Sequence, residues 1–255
     1  MSLKNCTLTG IDENTSLDNI RQMSDKFPFV EWGVLFNIYL GTQRPRYPSL
    51  KWIKKLTQTH SDLNLSLHLC GSLTITAFFQ RDLIDLCKSF KRIQINAYFD
   101  QYPASPELIK RCFSLISPTE IIIQHNNDSK GIMKLLGEVN NYSILFDSSR
   151  GAGISPQNWP NYIPSFYCGY AGGLGPDNIK SQLPLIESAS QGFDYWIDME
   201  TKIRTIFEMG SGRDNESCID FEKVEYVLNA VEKHKEKGLL EQPFPEGDMS
   251  LLFTY

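Results

Sequence analysis

The feature that most constrains the fold of this chain is a regular recurrence of short apolar runs of the β-strand type. Eight such runs have centres 23 to 33 residues apart, close to the ~30 residues that a strand, a helix and two loops occupy. Strands that alternate with helices pair in parallel, so eight units in 255 residues predict an α/β fold, a single closed (β/α)8 TIM barrel over 1–255. The predicted strands are Cys6–Thr9, Phe29–Ile38, Leu63–Leu69, Arg92–Asn96, Glu120–Gln124, Ser143–Asp147, Phe166–Tyr170 and Asp194–Met199. The alternative is an open doubly wound sheet, although no glycine-rich dinucleotide motif follows the first strand.

Helical patterns fill most of the gaps between these runs. Ser16 is a predicted cap for a helix that ends near Lys26, and Leu50, Ile53 and Leu56 share one face of a second helix. The remaining predicted helices are Ile75–Phe90, Ser105–Ile116, Asp128–Val139 and, last, Phe221–Lys235, while Pro184 interrupts the pattern after the seventh strand. The tail 237–255 is left without a predicted structure.

Composition narrows the classes of function. A formal net charge of −5 disfavours a protein that binds nucleic acid by neutralising phosphates. Glu31 and Asn37 break the best apolar run before the ~18 residues that a membrane span requires, and no signal peptide is evident after Met1. Six cysteines without CxxC spacing and four scattered histidines predict free thiols and no metal site. We expect a cytoplasmic protein with no nucleic-acid or membrane partner.

In such barrels the reacting groups lie at the C-terminal ends of the strands. This rule selects a set of polar residues as candidates for a functional site. The set is Thr9, Asn37, Gln94, Asn96, Gln124, His125, Asp147, Tyr170, Asp198 and Glu200.

The segment Phe166–Ile179 has the strongest pattern. The seventh strand runs into Gly172 and Gly173, and Pro176 is expected to open a helix. Glycines let main-chain N–H groups approach an anion, and a helix N-terminus adds positive charge. The alternative is a tight glycine turn without a ligand. The position after strand seven favours a phosphate site.

Two further segments carry candidate chemistry. Asp147 ends an apolar strand before a glycine-containing loop, where a carboxyl with a raised pKa can act as a general acid; the alternative is that it caps its own loop. Arg46 lies in the loop Gly41–Pro48 and can bind a substrate carboxylate with two parallel hydrogen bonds, unless it is an ordinary solvated arginine.

Taken in order, these segments resemble the phosphoribosylanthranilate isomerase family of (β/α)8 barrels. The counterparts of the family motifs are Arg46–Tyr47, Leu145–Ser148 with Gly151 and Gly153, Ala171–Ile179, Ile197–Arg204 and Ser211–Asp214. The resemblance covers about Cys6 to Asp214, and the strand-seven segment Ala171–Ile179 is its most specific part.

The resemblance implies an Amadori rearrangement of a phosphoribosyl aldosylamine to an aminoketose, as in tryptophan biosynthesis, by acid–base catalysis without cofactor or metal. Asp147 is then the general acid, and Arg46, with Thr9, Asn96 and Glu200, binds the substrate, Arg46 holding the anthranilate carboxylate. The resemblance further implies that the phosphate is bound by Gly172 and Gly173, together with Thr201 and Lys202. The partner is a small phosphorylated sugar, and the protein is a monomer or homodimer.

The departures from the family pattern concern the general base. The family has a cysteine at the tip of strand one, where one alignment places Thr9 and another places Cys6. A threonine hydroxyl does not remove a C–H proton unless another group first deprotonates it, so the predicted base is Cys6 or a residue that the sequence does not identify. Asn96 replaces the family's strand-four histidine, and Lys202 replaces a strand-eight glycine. Two alternatives therefore stay open, a related phosphosugar isomerase or lyase that uses Asp198 and Glu200, and a non-catalytic protein that binds a phosphorylated metabolite.

Overall fold

A computed structural model describes residues 3–40, 46–96, 105–125, 141–147, 154–207 and 216–240. Eight parallel strands form a closed barrel in sequence order, with β8 paired to β1. They are β1 (Leu3–Thr9), β2 (Val30–Phe36), β3 (Leu65–Cys70), β4 (Arg92–Asn96), β5 (Glu120–His125), β6 (Tyr142–Asp147), β7 (Cys168–Ala171) and β8 (Tyr195–Met199). The predicted (β/α)8 barrel is confirmed.

Helices pack outside the barrel. They are α1 (Leu17–Lys26), α2 (Leu50–Thr59), α3 (Ser72–Phe79), α4 (Ile84–Lys88), α5 (Pro106–Ile116), α6 (Ile179–Ser190) and α7 (Phe221–Leu240). Ser16 caps α1 as predicted, with its side chain accepting from the Asn19 N–H, and Ser49 caps α2 in the same way. The predicted helix Asp128–Val139 and the end of the tail lie outside the described residues.

One local prediction was wrong, and one element was not predicted. The single helix predicted over Ile75–Phe90 is two helices, α3 and α4, and Arg81 between them has φ 74°, a left-handed conformation that no helix interior contains. A two-stranded antiparallel sheet, β9 (Arg204–Phe207) with β10 (Glu216–Ile219), follows β8 and was not anticipated.

The barrel interior changes character along its axis. At the N-terminal ends of the strands, Arg92 Nη1 donates to Glu31 at 3.1 Å and Arg92 Nε donates to Glu120 at 3.0 Å. An apolar cluster of Ile122, Leu145, Ala171 and Trp196 follows. Beyond it, at the C-terminal ends, the interior opens into a cavity.

No helix in the described segments has the length and apolar character to cross a bilayer. Within the same segments, no group of three or more His, Cys, Asp or Glu residues is arranged to hold a metal ion.

Candidate functional site

The cavity lies at the C-terminal end of the barrel, where barrel enzymes place their sites. Strand ends and the segments after β7 and β8 supply its walls. Its described lining is Thr9, His68, Gln94, Asn96, Gln124, Leu145, Asp147, Ala171, Gly172, Gly173, Leu174, Asp198, Met199, Glu200, Thr201 and Lys202.

Most predicted site residues meet in this cavity. The lining includes the predicted acid Asp147, the predicted substrate residues Thr9, Asn96 and Glu200, and the predicted phosphate residues Gly172, Gly173, Thr201 and Lys202. Arg46 reaches the site only through Glu200, to which its Nη1 donates a hydrogen bond. Cys6 is not part of the lining.

Two buried carboxyl groups face the cavity from strands that flank β7. Asp147 on β6 is in register with Ala171, and Ala171 is in register with Asp198 on β8. The two aspartates therefore lie in one row across the sheet, two strand spacings or roughly 10 Å apart. Ala171 between them has only a methyl group, which leaves room for a ligand.

Asp198 differs from an ordinary carboxyl group. Burial is the main cause that raises its pKa, and the nearby carboxylates Glu200, Glu31 and Asp147 raise it further, to about 8. Thr9 Oγ1 donates a hydrogen bond to Asp198 Oδ1 at 2.8 Å and partly offsets this rise. Asp198 consequently holds a proton at neutral pH and is able to donate it.

The structure corrects the prediction that Cys6 is the base. On β1, the side chain of Thr7 bonds Glu31 inside the barrel, at 2.8 Å, and alternate residues of a strand face opposite sides. Cys6 therefore faces the outer core, where it is fully buried. Burial raises the pKa of its thiol, so no thiolate is available, and Thr9 occupies the cavity position.

Arg46 adopts a strained backbone to reach Glu200. Its φ is 70°, which costs about 1 kcal/mol or more for a residue with a side chain. Its N–H donates to Asp12 Oδ2 at 3.1 Å, and Arg204 Nη2 lies 3.3 Å from the same oxygen. The predicted carboxylate-binding arginine thus already has a carboxylate partner, Glu200.

The segment after β7 is a turn held by side chains. Gly172 and Gly173 have φ of 127° and 60°, values that favour glycine. Asn178 Nδ2 donates to the Gly173 carbonyl at 2.8 Å, and Asn178 Oδ1 accepts from the Gly175 N–H at 3.0 Å. The helix predicted to open at Pro176 begins at Ile179, because Asn178 is used to hold the turn.

Lys202 packs closely beside this turn. A Cβ placed on Gly175 would stand 2.4 Å from Lys202 Cβ, so only glycine lets the segment after β8 approach. Lys202 is the one lysine or arginine in the described lining of the cavity, and its side-chain stem lies against Gly175, two residues after Gly173.

The opposite wall is polar and comes from β3, β4 and β5. Here "polar wall" means His68, Gln94, Asn96 and Gln124. Gln94 Nε2 donates to Asn96 Oδ1 at 2.7 Å, and Ser66 Oγ lies 3.2 Å from His68 Nε2. His68 was missed by sequence reasoning, although it lies two residues before the end of β3, in register with Gln94, where alternation could have placed it inside the barrel.

Three residues of the predicted set are not in the described lining. Tyr170 packs among the outer aromatic rings of Phe146, Trp159 and Tyr195, because its neighbours Gly169 and Ala171 take the inward positions. Asn37 Oδ1 accepts from the N–H groups of Tyr39 and Leu40, and the ring of His125 packs against Phe146.

Solved structures with similar folds include two isomerases and an aldolase. Phosphoribosylanthranilate isomerase of Thermotoga maritima has a TM-score of 0.53 and 13% identity, covering 91% of this chain and 99% of its own. N-(5'-phosphoribosyl)anthranilate isomerase of Pyrococcus furiosus has a TM-score of 0.52 and 15% identity, covering 90% and 98%. Phospho-2-dehydro-3-deoxyheptonate aldolase of Thermotoga maritima has a TM-score of 0.58 and 10% identity, covering 91% and 70%.

The sequence matches no protein-family model, and no curated protein is similar enough to count as a match. At identities of 10 to 15%, the structural likeness shows the fold. The chain is a TIM barrel of the kind on which these isomerases and the aldolase are built.

Proposed function

We propose that the protein is an acid–base enzyme that converts a phosphoribosyl aldosylamine into an aminoketose, the reaction class of phosphoribosylanthranilate isomerase. The observation that carries the proposal is the pair of buried carboxyl groups, Asp147 and Asp198, on either side of Ala171. Burial first, and then the nearby carboxylates, keep a proton on Asp198, so the pair can supply the proton donor and the proton acceptor that an isomerase needs.

The phosphate of the substrate binds at Gly172, Gly173, Thr201 and Lys202 in this proposal. Main-chain N–H groups at glycines with positive φ can form an anion-binding concavity, and Lys202 adds a full positive charge. The carboxyl groups lie on strands β6 and β8, either side of β7 and its turn. The ribose therefore extends from the turn across the two carboxyl groups.

Proton transfer then follows from which carboxyl group holds the proton. Asp198 donates its proton to the ring oxygen; the C1–O bond breaks, and the nitrogen lone pair forms a C=N bond. The Asp147 carboxylate removes the C2 proton, the C–H electrons form a C1–C2 double bond, and the C=N electrons return to nitrogen. Asp147 next returns its proton to C1 while the Asp198 carboxylate takes the proton of the C2 hydroxyl, which leaves a ketone. Each carboxyl group ends in its starting state.

This assignment makes Asp147 the general base, whereas the sequence analysis predicted it to be the general acid. The sequence motif made Asp147 the acid, whereas the raised pKa of Asp198 makes Asp198 the donor and leaves Asp147 as the base that Cys6 cannot be. Thr9 is a positioning residue in the proposal, because its hydroxyl holds Asp198 Oδ1.

One observation favours a second candidate, a related isomerisation of a different phosphorylated sugar. The carboxylate of Glu200 already occupies Arg46, the residue expected to bind the carboxylate of anthranilate. A substrate without that carboxylate meets no such competition.

Turnover by the purified full chain tests the proposal. N-(5'-phosphoribosyl)anthranilate and its 2-carbamoyl analogue are each incubated with the protein in heavy water, and the products are analysed by mass spectrometry and NMR. We expect an aminoketose that carries deuterium at C1, since the transferred proton exchanges with solvent. Asp147→Asn and Asp198→Asn should each abolish most of the turnover.

Asp62→Asn is the matched control, because Asp62 is exposed, pairs with Arg21 and precedes β3 at the opposite end of the barrel. It should turn over substrate at the wild-type rate. A folded wild-type protein that produces no aminoketose from either substrate would contradict the proposal, and so would an Asp147→Asn variant with full activity.

A further inference from the structure

We propose that the polar wall selects the nitrogen substituent of the substrate, and that this substituent is neutral and forms hydrogen bonds, as a carboxamide does, rather than an aryl carboxylate. The inference rests on the proposed function, in which the phosphoribosyl part binds between the turn after β7 and the two carboxyl groups. The remaining side of the cavity, at β3, β4 and β5, then faces the substituent.

The first observation is the charge of the polar wall. Gln94, Asn96 and Gln124 carry neutral amides. Burial lowers the pKa of His68 to about 3, so its imidazole is neutral at physiological pH. The wall therefore offers hydrogen-bond donors and acceptors but no charge, and an anionic substituent would lose its hydration there without gaining an ionic partner.

The second observation is a buried acceptor that lacks a partner. Gln94 is 4% exposed, and its Nε2 is committed to Asn96. Its Oε1 has no hydrogen-bond partner among the residues that the structure describes. A buried acceptor without a donor is unfavourable, and an N–H or O–H donor on a ligand in the cavity would satisfy it once the Gln94 amide, which lines the cavity, turns towards the ligand.

The third observation is the Arg46–Glu200 ion pair. Glu200 lines the cavity, and its side chain accepts from Arg46. A substrate carboxylate would have to displace Glu200 and leave it facing the carboxyl groups of Asp147 and Asp198. A neutral substituent leaves the pair intact.

Three ligands that differ only at the ortho position of the ring test the inference. They are 1-amino-1-deoxyribulose 5-phosphates whose nitrogen carries a 2-carbamoylphenyl, a 2-carboxyphenyl or a phenyl group. Binding to the full chain is measured by isothermal titration calorimetry at pH 7. We expect the carbamoyl ligand to bind about tenfold more tightly than either other ligand, the effect of one good hydrogen bond.

Variants assign the preference to residues. Gln94→Met should bring the carbamoyl and phenyl ligands to within about twofold, whereas Gln58→Met, on the exposed face of α2, should leave the preference unchanged. Glu200→Gln should release Arg46 and tighten the carboxyphenyl ligand about tenfold.

Two outcomes would overturn the inference and differ in what else they overturn. If all three ligands bind and the carboxyphenyl ligand binds most tightly to the wild type, the inference fails while the proposed function stands. If none of the ligands binds, the shared phosphoribosyl site is absent, and the inference and the proposed function fail together.

Discussion

The two ends of the barrel interior both contain buried charged groups, but they arrange them in opposite ways. At the N-terminal end, Arg92 lies between Glu31 and Glu120 and stacks 4.2 Å from the ring of Trp196. At the C-terminal end, Asp147 and Asp198 share a cavity with Glu200, and burial first, then like charges, raise the pKa of Asp198.

The difference teaches which buried charges hold the fold and which are available for chemistry. A buried ion pair that satisfies its members fixes side chains but holds no proton to transfer. A buried carboxyl group near like charges keeps a proton that it can release, which is the behaviour expected of an active site. The comparison predicts that changes at one end affect stability and changes at the other affect turnover.

Removal of either cavity carboxyl group should have the largest effect. Asp147→Asn and Asp198→Asn should each lower kcat by about 10²–10⁴-fold, the usual contribution of a positioned acid or base. Steady-state kinetics with the aldosylamine substrate checks this. Activity within threefold of the wild type in both variants would place the chemistry elsewhere.

At the other end, Arg92→Met should mainly affect stability. The variant leaves Glu31, which is fully buried, without its ion-pair partner, and such an uncompensated charge costs about 3–5 kcal/mol. Urea denaturation measures the loss. The double variant Glu31→Gln with Arg92→Met should recover part of it, and a double variant less stable than Arg92→Met would show that the pairing is not the cause.

Asp198 should also make stability depend on pH. Its pKa is about 8 in the folded protein, against 3.8 for an ordinary aspartate, so the folded state binds the extra proton between these values. Stability therefore falls as pH rises from 4 towards 8. We expect about 2 kcal/mol over this range, less than the roughly 5–6 kcal/mol that a full proton difference would give at ~1.4 kcal/mol per pH unit, because the group borders a cavity.

The pH effect is isolated by comparing the wild type with Asp198→Asn, which cannot titrate. The difference in free energy of unfolding between them should shift steadily between pH 4 and pH 8 and level off above. A difference that stays constant over this range would mean that Asp198 titrates alike in the folded and unfolded chains.

The smallest effect concerns the glycine turn. Gly173 and Gly192 both have left-handed backbones, with φ of 60° and 80°, and alanine at either should cost about 1 kcal/mol of stability. Only Gly173 lines the cavity, so Gly173→Ala alone should also weaken binding of the phosphorylated ligands. Equal ligand affinities in the two variants would show that the turn after β7 does not bind the phosphate.

The periodic sequence was enough to predict the barrel. Strand β4 has the predicted bounds, and the other seven begin and end within a few residues of their predictions. The regular alternation of strands and helices specifies the topology, even where the exact ends of the elements are not known. The break at Arg81 was not predictable in the same way, because its positive φ has no signature in the residue type.

The site was only half predictable, for two physical reasons. Cys6 and Thr9 lie on one short strand, in which threonines alternate with apolar residues. The sequence alone does not say which of these two faces lines the cavity. The hydrogen bonds to Glu31 and Asp198 show that it is the threonine face. The contact of Thr9 with Asp198 spans 189 residues and exists because the barrel closes. The pKa of Asp198 depends on that closure, through burial and its neighbours.

The most direct test of the account is the titration of the Asp198 carboxyl group itself. Carbon-13 NMR of aspartate side chains in the full chain, assigned by comparison with Asp198→Asn, follows its chemical shift from pH 3 to pH 10. The account predicts a midpoint near 8. The midpoint should be lower when Asp147 is replaced by asparagine, because one of the like charges that raise the pKa of Asp198 is then removed. A midpoint near 4 would show a permanently ionised carboxylate and would contradict the proposed proton donor.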